Sequence, residues 1–141
     1  MKQLTFLILA ITGTSVFAQE TTLFDSDGNA VAYISTDSRN TIYLWNGTPV
    51  AYIHAQNNNF HIYGFNGQHL GWFANGFIRD NNGHIVGAIK DVHPRVTRVE
   101  PVKSVKHVTP VASVRVVPPV KSVFSTNWSR TPLNVLLSAG R

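Results

Sequence analysis

The sequence predicts an all-β protein: four β-hairpin repeats around a pseudo-fourfold axis, followed by an extended Val/Pro/Lys-rich tail and a short C-terminal helix. Three observations carry this. An Asp-Gly or Asn-Gly pair recurs four times between short apolar runs, and valine later falls on every third position. Only 13% of the 141 residues are charged while 43% are hydrophobic. Ordinary globular chains carry about 25% charged residues, so this balance excludes a coiled coil or an acidic disordered chain and favours strands.

Residues 1–18 read as a signal peptide. Met1-Lys2-Gln3 precedes an apolar run from Leu4 to Ile11, and small and polar residues lead to Val16-Phe17-Ala18. A charged start, a short apolar stretch and a small-x-small site predict cleavage after Ala18, with the product periplasmic or extracellular. The run is too short for a membrane span, which needs about 20 apolar residues. The chain has no cysteine, which removes disulfides, thiol catalysis and thiolate metal sites.

Residues 19–91 hold the repeats. Gly28, Gly47, Gly67 and Gly83 each follow Asp27, Asn46, Asn66 or Asn82. Such pairs predict two-residue type I′ hairpin turns, with both residues at positive φ. Five residues before each glycine stands Leu23, Ile42, Ile62 or Ile78, and shortly after it come the runs beginning Val31, Val50, Leu70 and Val86. Asn75-Gly76 joins copies three and four tightly, whereas Ser35 to Thr41 and His54 to His61 read as longer polar joints. Strand alternation places Leu23, Ile42, Ile62 and Ile78 opposite Ala32, Ala51, Gly71 and Gly87, with Ile34, Ile53, Phe73 and Ile89 beyond them. This large-against-small face is the expected common core. The other face carries Phe24, Tyr33, Tyr43, Trp45, Tyr52, Tyr63, Phe65 and Trp72, together with Val31, Val50, Leu70 and Val86. Copy four departs, with Arg79, Asn81 and Ala88 where its siblings have rings. So small a body without disulfides needs its repeats to close on themselves, which also removes strand edges.

The pattern aliphatic-aromatic-x-x-Asn-Gly-x-x-Val-Ala-Tyr-Ile, clearest from Ile42 to Ile53 and repeated from Ile62 to Phe73, resembles the four-fold beta flower proteins. These are exported bacterial proteins of uncharacterised function. The resemblance spans residues 23 to 89. It implies petal-like hairpins and assigns no catalytic residue.

Residues 92–130 form the basic tail. Valine recurs without a miss from Val96 through Val99, Val102, Val105, Val108, Val111, Val114, Val117 and Val120 to Val123, and proline every ninth position at Pro101, Pro110 and Pro119. Three is the period of a polyproline II helix, so an extended segment would carry its valines on one ridge and Lys103, Lys106, Arg115 and Lys121 on another. Residues 21–91 hold three basic and five acidic residues, residues 92–141 eight and one. The chain's net charge of +5 therefore belongs to the tail and does not argue that the body binds nucleic acid. One reading is a solvated linker. The other lays the valine ridge along the hairpins or a partner and turns Lys103, Lys106, Arg115 and Lys121 toward an anionic lipid or polysaccharide. Residues 131–141 end the chain with a short helix or docking segment. Thr131-Pro132 suits an N-cap and first turn, Leu133, Val135, Leu136 and Leu137 an apolar stripe, and Gly140 a stop.

The calcium-like openings at Asp25 and Asp80 lack the closing Glu and coincide with turns, so they read as turn chemistry. His69 and His84 fall on opposite faces and His54, His61, His93 and His107 offer no helical pair, so no metal site is expected. No paired carboxylates, nucleophile elbow or phosphate-cradling loop appears. The expectation is a non-enzymatic protein without cofactor. Its leading function is carbohydrate or cell-surface binding through Tyr43, Trp45, Tyr63, Phe65 and Trp72, with Asn57, Asn58, Asn59 and Gln68 supplying hydrogen bonds. The alternative is a structural protein that forms homo-oligomers through the same rings and is tethered by its tail.

Overall fold

The computed structural model describes residues 19–93 and 97–141. The expected signal peptide at 1–18 and Val96 lie outside these residues. Eight antiparallel strands close into a barrel in chain order: β1 (Thr21–Phe24), β2 (Ala30–Ile34), β3 (Thr41–Leu44), β4 (Pro49–Gln56), β5 (Asn59–Gly64), β6 (His69–Ala74), β7 (Phe77–Asp80) and β8 (Ile85–Ala88). A helix, α1 (Leu133–Ser138), follows the tail. The fold is thus the expected four-hairpin, all-β architecture.

The four hairpin turns differ from the expected type. Only the glycine of each Asp-Gly or Asn-Gly pair has positive φ, between 81° and 91°. Each loop has three residues, and the glycine N–H donates to the carbonyl at its start: Gly28 to Asp25, Gly47 to Leu44, Gly67 to Gly64 and Gly83 to Asp80, all 2.9 to 3.0 Å. This is a type I turn ending in a left-handed glycine. Side chains lock the turns, for Asp25 Oδ1 accepts from the N–H of Asp27 and Asn29, and Asp80 Oδ1 from Asn82 and His84. Both residues have positive φ in Asn75-Gly76, and also in Asn57-Asn58. That second pair joins β4 directly to β5, so the polar joint expected from His54 to His61 is largely strand, paired from Gln56↔Asn59 inward.

A bulge follows in every hairpin. Leu23 pairs with Ala32 but Phe24 with Ala30, and the same slip occurs after Ile42, Ile62 and Ile78. The residue left over is Val31, Val50, Leu70 or Val86. A bulge adds one residue to one strand and re-aims its side chain. Accordingly Val50, Leu70 and Val86 are buried in the barrel interior and Val31 packs against it, rather than lying on the aromatic face. The interior otherwise matches expectation: Leu23, Ile42, Ile62 and Ile78 are fully buried against Ala32, Ala51, Gly71 and Gly87. The small residues have a purpose. A Cβ on Gly71 would overlap the carbonyl of Arg79, and one on Gly87 would meet the side chain of Leu133.

Leu133 reaches Gly87 because α1 completes this core. Leu133 and Leu137 are buried among the strand aliphatics, and Asn66 holds the helix end through its side-chain amide to Ala139 O and its N–H to Gly140 O. Pro132, not Thr131, occupies the N-cap, and no side chain caps the helix. Val135 points to solvent.

Candidate functional site

The outer face of β2 to β6 projects rings at alternate positions. Tyr33 stacks on Tyr43 at 5.5 Å and meets Trp45 edge-on at 5.8 Å. Tyr52 lies 6.3 Å from Tyr63 and 5.5 Å from Phe65. These geometries are the offset and tilted ones aromatic pairs prefer. Tyr43, Tyr63, Phe65 and Trp72 are nonetheless buried, and Trp45 is half-buried. The residues expected to form an open platform are covered, and what covers them is the tail.

The tail passes the four hairpin turns in chain order. The N–H groups of Arg98, His107, Val116 and Ser125 donate to the turn-glycine carbonyls of Gly28, Gly47, Gly67 and Gly83, at 2.8 to 3.0 Å. These donors lie nine residues apart, the period of the prolines. Ser104 and Ser113 repeat the arrangement two turn residues earlier, on Trp45 O and Phe65 O, and Ser122 Oγ donates to Asn81 O. The turn glycines also make room. A Cβ on Gly47, Gly67 or Gly83 would overlap the carbonyl oxygen of Val105, Val114 or Val123 respectively. From Arg98 to Ser125, at about 3.1 Å per residue, the path is about 84 Å. That path covers three petal-to-petal steps, about 28 Å each.

The cations point inward. Lys103 Nζ stands 4.4 Å from the Tyr33 ring centre and 5.4 Å from Trp45, while Lys106 Nζ is 5.2 Å from Tyr43. Glu20 bridges both lysines at 2.8 and 2.6 Å. Burial alone would raise the Glu20 pKa, but its hydrogen bonds and charge contacts with Lys103 and Lys106 outweigh it, leaving the carboxyl lowered; the Glu20 hydrogen bond in turn raises Lys106. Arg115 lies 5.8 Å over Tyr63 and donates to Tyr52 Oη, and Tyr63 Oη donates to Val116 O at 2.8 Å. Lys121 sits 4.6 Å over Phe124 and donates to Asn59.

Petal four inverts the pairing. Tyr43 and Tyr63 present rings to Lys106 and Arg115, but at the equivalent body position stands Arg79, and nine residues after Arg115 stands Phe124. Arg79 lies 4.6 Å over the Phe124 ring and also bonds the carbonyls of Gly83 and Ser125. Ring and cation have exchanged chains of origin while the contact is kept.

The cation ridge expected to face an anionic surface is thus turned toward the body, and the valine ridge, expected along the hairpins or a partner, is turned away from the hairpins. The valines point outward. Nine of them, Val99, Val102, Val105, Val108, Val111, Val114, Val117, Val120 and Val123, are 84–96% exposed. They form an apolar belt past all four petals.

Three features escaped the sequence reading. His61 Nδ1 and His69 Nε2 lie 2.9 Å apart in a buried pair under Trp72, with His69 Nδ1 2.8 Å from Asn81 Oδ1. The two residues are eight apart in sequence, and only the hairpin register brings them together. Glu20 lies before β1, where nothing in its neighbourhood marks it as a clamp. The third is a cleft of about 340 Å³ lined by Asn58, Asn59, Phe60, Asn75, Lys121 and Phe124, among others, with Phe60 52% exposed.

A family described as the 4-fold beta flower proteins matches residues 21–137. The chain belongs to that family. The match runs well past Ile89, so for this beta flower protein the tail and helix belong to the family unit together with the petals. No curated protein and no solved structure matches the chain.

Proposed function

We propose that this beta flower protein is an exported, non-enzymatic interaction module of the cell envelope or exterior, which works by presenting the valine belt. One observation carries the reading. Nine valines in one continuous row are turned to solvent, while the tail's cations and the body's rings are spent on holding that row in place. Monomeric soluble proteins rarely expose contiguous apolar patches beyond a few hundred Å², and larger ones mark interaction sites. The leader-like residues 1–18 and the absence of cysteine support export.

The test is fractionation of producing cells with N-terminal sequencing of the product. A chain beginning at Gln19, held on the envelope or found outside, is expected. Retention on the envelope should fall in Val105→Asp/Val114→Asp and persist in 1 M salt. A cytoplasmic chain still beginning at Met1 would overturn export, and release by salt alone would return the contact to the basic residues.

The carbohydrate reading keeps one specific support, the cleft beside Phe60. An exposed ring flanked by the amides of Asn58, Asn59 and Asn75 and the Lys121 ammonium offers both the stacking face and the hydrogen bonds a sugar uses. Trp72 lines the same cleft, so glycan titration would be read in its fluorescence.

A further inference from the structure

We propose that Asn75 is a modification site, at which the folded chain converts asparagine to aspartate and isoaspartate through attack by the Gly76 amide nitrogen. The inference goes beyond the interaction-module reading and does not depend on it.

The chain contains four Asn-Gly pairs: Asn46-Gly47, Asn66-Gly67, Asn75-Gly76 and Asn82-Gly83. Asparagine is among the chemically labile side chains, and a following glycine, having no Cβ, lets its own amide nitrogen approach the asparagine most closely. By sequence the four pairs are equals. The fold separates them.

In three pairs the nitrogen that must attack is tied down. The N–H groups of Gly47, Gly67 and Gly83 donate to Leu44 O, Gly64 O and Asp80 O at 2.9 to 3.0 Å, and these glycines are buried against the carbonyls of Val105, Val114 and Val123. Two of the asparagine side chains are tied as well. Asn46 Oδ1 accepts from the Thr48 N–H at 3.0 Å; Asn66 Oδ1 accepts from the Gln68 N–H at 3.0 Å, and its amide donates to Ala139 O at 2.8 Å.

Asn75-Gly76 is held differently. It forms the two-residue turn, with φ of +53° and +83°, that joins β6 to β7 beyond the Ala74↔Phe77 pair. Strands alternate in direction round the barrel, so this turn lies at the opposite strand ends from the petal turns that the tail covers. Asn75 is exposed and Gly76 half-buried. Among the described residues, neither the Asn75 side chain nor the Gly76 N–H has a hydrogen-bond partner.

The chemistry needs only the chain and water. The Gly76 nitrogen, its proton lost to solvent base, bonds to Asn75 Cγ while the Cγ–Nδ2 bond breaks and Nδ2 leaves as ammonia. Water then adds to either carbonyl of the five-membered imide and breaks one of its two C–N bonds. Opening at Cγ gives aspartate; opening at the main-chain carbonyl gives isoaspartate, whose backbone runs on through Cγ. Either product sets a carboxylate on the rim of the cleft that Asn75 shares with Phe60 and Lys121. Aspartate tolerates the left-handed turn, whereas isoaspartate lengthens a turn of two residues by a methylene.

The experiment incubates the purified full chain in warm, mildly alkaline buffer made with heavy-oxygen water and reads each asparagine by peptide fragmentation mass spectrometry. It compares the folded chain, the chain in concentrated urea, and folded Asn75→Gly, whose Gly-Gly pair suits the same turn. Expected in the folded chain is heavy oxygen at residue 75 at least about tenfold faster than at Asn46, Asn66 or Asn82, because those must wait for their turns to open. In urea the four rates should converge. Asn75→Gly should keep the wild-type melt and lose the early acidic species. Equal rates at the four sites in the folded chain, the same preference for Asn75 in urea, or an unreacted Asn75 over the time in which the urea sample reacts would each overturn the proposal.

Discussion

At the scale of single residues, the turn glycines and the histidine pair make the sharpest demands. Gly67 has φ of +88° and lies against the Val114 carbonyl. Alanine there takes a left-handed conformation costing about 1–2 kcal/mol and displaces the tail backbone as well. Gly67→Ala should therefore lower stability by more than 2 kcal/mol in urea melts and speed amide exchange at Val116. Asn81 assigns the histidine protons. Its Nδ2 donates to His69 O, which leaves Oδ1 facing His69 Nδ1, so that nitrogen carries the hydrogen. His69 Nε2 is then the bare acceptor and His61 Nδ1–H the donor. A second proton on His69 would set two donors face to face. Burial lowers the pKa of both rings and outweighs the hydrogen bonds to the Gln56 backbone and to Asn81, with His54 and Lys121 adding positive charge near His61, and His61 near His69. A folded pKa held below the unfolded 6.5 means the unfolded chain takes up protons first. Stability should be constant above neutrality and fall as pH drops through about 6.5. Thermal melts from pH 8 to 5 test this, and His61→Gln should flatten the slope; a slope unchanged by that substitution would place the titration elsewhere.

At the scale of elements, the exchanged pair of petal four gives a direct test of how the tail is fastened. Arg79→Tyr and Phe124→Arg should each destabilise by about 1–2 kcal/mol, because each forfeits the cation–π contact, the first also loses the guanidinium bonds to Gly83 and Ser125, and the second sets two guanidinium groups together. Together they recreate the arrangement of Tyr63 and Arg115. The double variant should recover part of the loss, with a coupling of about 0.5–3 kcal/mol in a double-mutant cycle. Strict additivity would show that the ring and cation act independently. Petal four also shows what the sequence made legible. Arg79 stands out as a break in the aromatic pattern, but its partner lies in another repeat system, and only alignment of nine-residue tail units with the petals joins them. The fourfold body and the large-against-small core follow from spacing alone. The bulges do not, because a one-residue slip inverts a face without altering the pattern that suggests it. The tail's period of three likewise separates its ridges without saying which faces inward. That choice is made by cation–ring contacts and by backbone hydrogen bonds to the turn carbonyls, neither of which hydrophobic patterning registers.

At the scale of the whole molecule, body and tail form one cooperative unit, since each lacks a finished surface without the other. A chain ending at Asp91 would expose Tyr43, Tyr63, Phe65 and Trp72 and lose Leu133 and Leu137 from the core. Losing two buried leucines alone is worth about 4–10 kcal/mol, the whole stability of many small domains. Such a fragment should show a red-shifted Trp72 emission and no sharp melting transition; a well-folded fragment would refute the cooperative picture. The position of α1 has a kinetic corollary. The barrel's centre is filled by residues that follow β8 by more than forty positions, so long-range closure must precede the packing that rewards it. Contacts of such sequence separation slow folding. A chain arranged in this way stays open until residues 133–137 have emerged, which is the form in which a polypeptide can be threaded lengthwise through a narrow channel before it folds.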